Sequence, residues 1–238
     1  MNQLIKKVAT DLYSVQMKWV AWYLPIVFVV YVALLAFVAE PELRTMSLLT
    51  FTFQTATIFM LVCGILASFV FLPVYIKQGV TRKTYFKATI LSSIALATTI
   101  IVITAFATWV LTFFKRYTTL FDEVVLSSLV VIEGNWFLIS FAYVIVIFIY
   151  YLAGWLISLG FYRYGAAGGF GFIAISLVLI FLTDIIWNLN TPKPIVGIIP
   201  IGSFSINIGI AFILSLIIIA IVVTIVQKVT KDIAIVVE

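Results

Sequence analysis

The side chains best equipped for chemistry in this chain are cations, and they crowd into one run. Tyr75 to Lys87 reads YIKQGVTRKTYFK and carries Lys77, Arg82, Lys83 and Lys87. Gly79 permits a break in the chain, and Thr81 has the side chain to cap a helix that starts at Arg82. Such a segment makes a basic, partly helical knob, whose charges serve either to dock on a partner or simply to anchor the chain at a membrane face. Arg163 stands apart among Gly160, Gly165, Gly168, Gly169 and Gly171, a stretch fit for close helix packing or for a hinge. Asp184 is the one charge that comes close to lying inside an apolar stretch, three residues before Trp187. It reads either as a wetted carboxylate at a helix end or as a contact for substrate or cation.

The chain contains no histidine, which removes the ligands of intramembrane metalloproteases, cysteine–histidine metal sites and the base of a serine–histidine pair. No glycine precedes a lysine, so the phosphate-binding loop of an ATPase is missing. The lone cysteine, Cys63, has no partner for an internal disulfide and reads as a buried structural thiol. An enzyme is therefore not expected, and neither is a cofactor or metal held by this chain.

What must position these residues is a membrane fold. The chain is 65% hydrophobic and 10% charged with a mean hydropathy of +1.28. Six apolar stretches reach or approach the roughly 20 residues that cross a bilayer core: Trp19–Ala39, Leu48–Pro73, Ala88–Phe114, Trp136–Leu159, Phe170–Trp187 and Ile206–Val226. Lipid offers the backbone no hydrogen bonds and the stretches lack the alternation of barrel strands, so all are expected to be α-helices in a single domain spanning 1–238. With both termini inside, ten cations fall on the cytoplasmic side and four (Arg44, Lys115, Arg116 and Lys193) outside, together with the acids Glu40, Glu42, Asp122, Glu123 and Glu133. Trp19, Trp22 and Trp155 within, and Trp109, Trp136 and Trp187 without, fit two interfacial belts. The net charge of +5 is thus a topology signal rather than a nucleic-acid footprint. No cleavable signal peptide is expected at the N-terminus.

Several segments add detail. In residues 1–18, Leu4, Val8, Leu12 and Val15 form one apolar stripe, which predicts an amphipathic helix lying on the cytoplasmic leaflet as an anchor or as a platform for a partner. The outer connection 188–207 combines Pro192, Pro194 and Pro200 with apolar residues and reads as a short re-entrant segment. Phe121, Val125, Leu129 and Ile132 predict a short amphipathic helix within 115–135. Thr104, Thr108 and Thr112 form a stripe, and Thr52, Gln54, Thr55 and Thr57 a cluster. Both read as intra- or interhelical bonding, with a substrate-facing lining at Gln54 and Thr57 as the alternative.

Taken together, the N-terminal amphipathic helix, six spans, the QGVTRKTYF loop after the second span and the broken apolar outer connection resemble the permease subunits of ABC type-2 exporters. The local motif is Gly-x-[Ser/Thr]-Arg-x-x-[aromatic]-Phe at Gly79, Thr81, Arg82, Tyr85 and Phe86. The resemblance implies that Ile76–Phe86, within a coupling loop at 76–87, is a coupling helix that docks on a separate cytoplasmic ABC ATPase through Arg82, Lys83 and Phe86, with Arg163 as a second contact. It also implies two copies of the ATPase, which binds ATP and Mg, a second permease copy or paralogue, membrane lipid around both, and a site in the bacterial cytoplasmic membrane. An apolar path suits an amphipathic or hydrophobic peptide or drug-like cargo. The rival readings are the substrate-binding membrane subunit of a vitamin importer, which tight vitamin binding by the isolated chain would reveal, and a secondary carrier, which would show matched broken helices in its two halves.

Overall fold

The computed structural model describes residues 2–37, 46–114, 136–187 and 206–231. The expected amphipathic helix within 115–135 and residues 188–205 of the expected re-entrant connection 188–207 lie outside them, as do the four cations and five acids assigned to the outer side. Among the described residues the structure is 95% helical without strands, so the backbone satisfies its hydrogen bonds within each segment, as a lipid environment demands. Five helices among the described residues are long and apolar enough to cross a membrane.

Helix α1 spans Asn2–Phe37. The expected surface helix and the first span are therefore one uninterrupted element. Its 36 residues exceed the roughly 20 a bilayer core requires. Val8 and Leu12 of the amphipathic stripe are buried against protein, while Leu4 is exposed. Helix α2 (Leu48–Leu66) starts at Ser47, whose hydroxyl oxygen accepts from the Thr50 amide at 3.2 Å. It passes through a π-helical turn, Ala67–Phe71, into α3 (Leu72–Lys77). Pro73 explains the turn: it brings no amide hydrogen and its ring crowds the carbonyl of residue 69, so the helix widens where the strain falls. Helix α4 spans Arg82–Phe114, and α6 closes the described chain at Ile208–Lys231.

Helix α5, Trp136–Ile186, is 51 residues long, yet it is not a straight rod. Gly165 adopts φ 68° and ψ −160°, outside helical geometry. A Cβ added at Gly160 would lie 2.5 Å from Cβ of Phe172, and one added at Gly169 would lie 2.3 Å from the ring of Phe161. Residues twelve apart along a straight helix are about 18 Å apart, so the chain folds back at Gly165 into a hairpin. Ser176 seals it by donating to the Ala153 carbonyl at 3.0 Å. The glycines singled out by sequence therefore divide the work, Gly165 making the turn and Gly160 and Gly169 letting the limbs touch.

The first limb of this hairpin is the centre of the molecule. Tyr143, Val146, Ile147, Ile149, Leu152 and Trp155 are all at 0–1% exposure, so Trp155 belongs to the core and not to a headgroup belt. Trp187 is likewise buried, donating its indole N–H to Ser215 of α6 at 2.9 Å. Trp22 and Trp109 are exposed, as a belt requires. Because lipid tails are as apolar as leucine, burial of apolar side chains supplies little drive between helices in a bilayer, and close packing must supply it. Here packing takes the form of stacked rings, Phe53 on Tyr143 at 4.0 Å, and of direct backbone contact between α2 and α5.

Candidate functional site: the basic end of the bundle

Nine of the ten cations among the described residues lie in or beside the segments where α1 begins, α3 passes to α4, the α5 hairpin turns and α6 stops, while Lys18 lies midway along α1. Residues Gln78 to Thr81 connect α3 to α4. Gly79 has φ +84°, a conformation that a Cβ would strain, and its amide donates to the Ile76 carbonyl at 2.9 Å. Thr81 caps α4: its hydroxyl oxygen accepts from the Thr84 amide at 3.2 Å, and its carbonyl accepts from Tyr85 at 2.9 Å. The segment 76–86 is accordingly not a free-standing helix. It comprises the end of the short α3, a tight turn at 78–81 and the first residues of the long α4, so the turn is tied to both helices.

The motif residues divide by exposure. Thr81, Lys83 and Lys87 are exposed, and Arg82 is half-buried. Tyr85 and Phe86 point inward at 0% and 6% exposure. The Phe86 ring lies 5.7 Å from Trp155 in the central limb, and the Tyr85 hydroxyl donates to the Ala67 carbonyl in the π turn. A partner at this end would therefore meet Thr81, Lys83 and Lys87, whereas Tyr85 and Phe86 connect the turn to the interior.

Arg82 and Arg163, remote in sequence, converge on the last turn of α6. Arg82 Nη1 donates to the Lys231 carbonyl at 3.2 Å, and Arg163 Nη1 donates to the Val229 carbonyl at 3.3 Å. The final carbonyls of a helix have no partners within it and carry the negative end of its dipole, so two guanidinium groups there satisfy both needs. Arg163 also lies over the Tyr164 ring at 5.0 Å. Lys83, Arg82 and Phe86 face Gln227, Thr230 and Lys231 across a cavity of about 240 Å³.

On the other flank, a more open hollow of about 660 Å³ separates the start of α1 from α3 and the turn. The Tyr75 hydroxyl bridges these elements, donating to Asp11 Oδ2 at 2.6 Å. Deeper in, Gln16 is buried and accepts from Ser92 of α4 at 3.5 Å. Neither pair was marked by sequence: Asp11 is exposed on α1, whereas Gln16, once buried, is the kind of residue that must find a partner.

The remaining candidates lie elsewhere. Asp184 is half-buried in the last turn of α5 and accepts from the Tyr150 hydroxyl at 3.1 Å, a bond that ties the second limb of the hairpin to the first. Gln54 and Thr57 are half-buried on α2, with the Thr57 hydroxyl donating to the Gln54 carbonyl at 2.6 Å. Thr104, Thr108 and Thr112 each donate to the carbonyl four residues back at 2.7–2.8 Å, the intrahelical bonding expected of them. Among the described residues no group of three or more metal-ligating side chains occurs. Comparison of the chain with family models, curated proteins and solved structures finds no match.

Proposed function

We propose that this chain is the membrane-spanning subunit of an ATP-driven exporter of the ABC type-2 kind, coupled to a separate cytoplasmic ATPase. Each limb of the α5 hairpin is then one span, which makes six, and the basic end with both termini faces the cytoplasm of a bacterial cell. Two ATPase copies, binding ATP and Mg, act on two permease copies, identical or paralogous. The cargo is an amphipathic or hydrophobic molecule, peptide or drug-like, since the walls available to it are apolar and free of histidine.

The observation that carries this reading is the joint hold of Arg82 and Arg163 on the end of α6 beside the exposed turn. A push on residues 78–81 reaches α3 and α4 directly, and through the two arginines it reaches the hairpin turn and α6. A coupling element needs this rigid connection between one contact surface and several spans. The filled centre is the second support: with the first limb of α5 buried and in backbone contact with α2, a path runs between chains rather than through one. The proposed docking surface is Thr81, Lys83 and Lys87 with Arg82 at its edge, and Phe86 passes the motion inward to Trp155.

The test is co-expression with each candidate ABC ATPase encoded in the same genome. The Lys83→Glu/Lys87→Glu variant is expected to lower ATP hydrolysis by the complex about tenfold or to prevent assembly, because reversed charges at a contact cost a kcal/mol or more. Arg82→Ala and Phe86→Ala are expected to keep assembly and lose stimulation of hydrolysis by cargo. Intact assembly with unchanged coupling in all of these variants contradicts the proposal.

A further inference from the structure

The cavity at the end of α4 and α6 has a composition that the docking surface does not explain. Three of its six lining residues, Arg82, Lys83 and Lys231, are cations, and none is an acid. The first turn of α4 contains no acidic residue, and the positive end of that helix offsets the negative end of α6 on the opposite wall, leaving the three cations to set the field. The two acids among the described residues are engaged elsewhere, Asp11 with Tyr75 and Asp184 with Tyr150. Arg82 uses one of its five N–H donors on the Lys231 carbonyl, which fixes the guanidinium without exhausting it.

The cavity is also amphipathic. Phe86 forms part of its wall, and Gln227 and Thr230 contribute polar groups beside the cations. Going deeper, the two helices that flank it expose apolar side chains, Leu91 and Ile94 on α4 and Ile221 and Ile225 on α6. We propose that this cavity binds the phosphate of an anionic phospholipid, with Arg82, Lys83 and Lys231 around the headgroup and the acyl chains running along α4 and α6. A basic pocket between spanning helices at the cytoplasmic face suits such a headgroup. A free phosphate ion matches the cations equally but leaves Phe86 and the apolar faces without a role. Arg82 and Lys83 are shared with the proposed docking surface, so lipid binding is tested on the isolated chain, where no ATPase competes for them.

The full chain, stripped of lipid in mild detergent, is mixed with equal amounts of dioleoyl phosphatidylglycerol and dioleoyl phosphatidylcholine, and bound lipid is counted by native mass spectrometry. The wild type is expected to retain the glycerol lipid over the choline lipid, and Lys83→Gln/Lys231→Gln to lower that retention about tenfold. Lys6→Gln/Lys18→Gln removes the same charge from exposed positions on α1 and is expected to retain the lipid as the wild type does. Gln227→Glu, which places an anion in the cavity without removing a cation, is expected to lower retention should the double variant unfold. Equal retention by the cavity variants overturns the proposal, as does equal loss in the α1 variant. Stabilisation by inorganic phosphate as great as that by the glycerol lipid overturns the lipid assignment.

Discussion

Gly64 of α2 and Gly154 of α5 each occupy space that a side chain would deny to the other helix. A Cβ on Gly64 would stand 2.0 Å from the carbonyl oxygen of Tyr151, and a Cβ on Gly154 would stand 2.0 Å from that of Leu61. Backbone therefore meets backbone at the centre of the bundle, and this contact sets the position of the buried limb around which the other helices pack.

Gly64→Ala and Gly154→Ala are each expected to destabilise the folded chain by about 1–3 kcal/mol, the usual cost of forcing atoms into a filled interior. The double variant should cost less than the sum, since the first insertion already separates the two helices. Thermal unfolding in detergent, followed by far-UV circular dichroism, measures both.

Gly79→Ala introduces a Cβ at φ +84°, where nothing lies within 4 Å, so the penalty is conformational rather than steric contact with neighbours. A loss of about 1–2 kcal/mol is expected, and Gly79→Asn should cost less because asparagine tolerates this region. A smaller effect from alanine than from asparagine in the same unfolding assay would contradict this reading.

Tyr75→Phe removes the donor to Asp11 and leaves the start of α1 without its bridge to α3. Amide hydrogen exchange in residues 4–12 should accelerate several-fold, in line with about 0.5–1.5 kcal/mol for a net hydrogen bond. Asp11→Asn keeps an acceptor oxygen and is expected to change exchange less.

Arg82→Gln and Arg163→Gln each remove a cation from the last turn of α6. Exchange of the terminal amides of that helix should quicken by about two- to fivefold in each variant, matching 0.3–1 kcal/mol for a charge at a helix C-terminus. The two effects should combine, because the arginines bind carbonyls two residues apart.

The apolar runs, the turn at Gly79 and the cap at Thr81 were legible in the sequence because each rests on a local rule: hydrocarbon thickness, positive φ, and a hydroxyl beside free amides. What escaped it depends on partners distant along the chain. Trp155 stands at a span edge in the sequence and in the core of the structure, because the limb that carries it is enclosed on all sides. Nothing local marks Phe86 as inward-facing or links Arg82 and Arg163 to a common helix end. Gly64 and Gly154 were the missed signal within reach, as single glycines inside apolar runs imply close approach of another backbone. The fusion of the amphipathic segment with the first span was hidden for a different reason: its stripe is as compatible with a protein surface as with a lipid one.

The most direct measurement of the proposed function joins the chain to the ABC ATPase with which it co-purifies. The full chain and that ATPase are reconstituted in liposomes, and release of a fluorescent amphipathic peptide is followed with ATP and Mg, then with a proton or sodium gradient alone. ATP-dependent movement that vanishes when the ATPase is omitted is the expected result. Movement by the chain alone, driven by the ion gradient and indifferent to ATP, would contradict it.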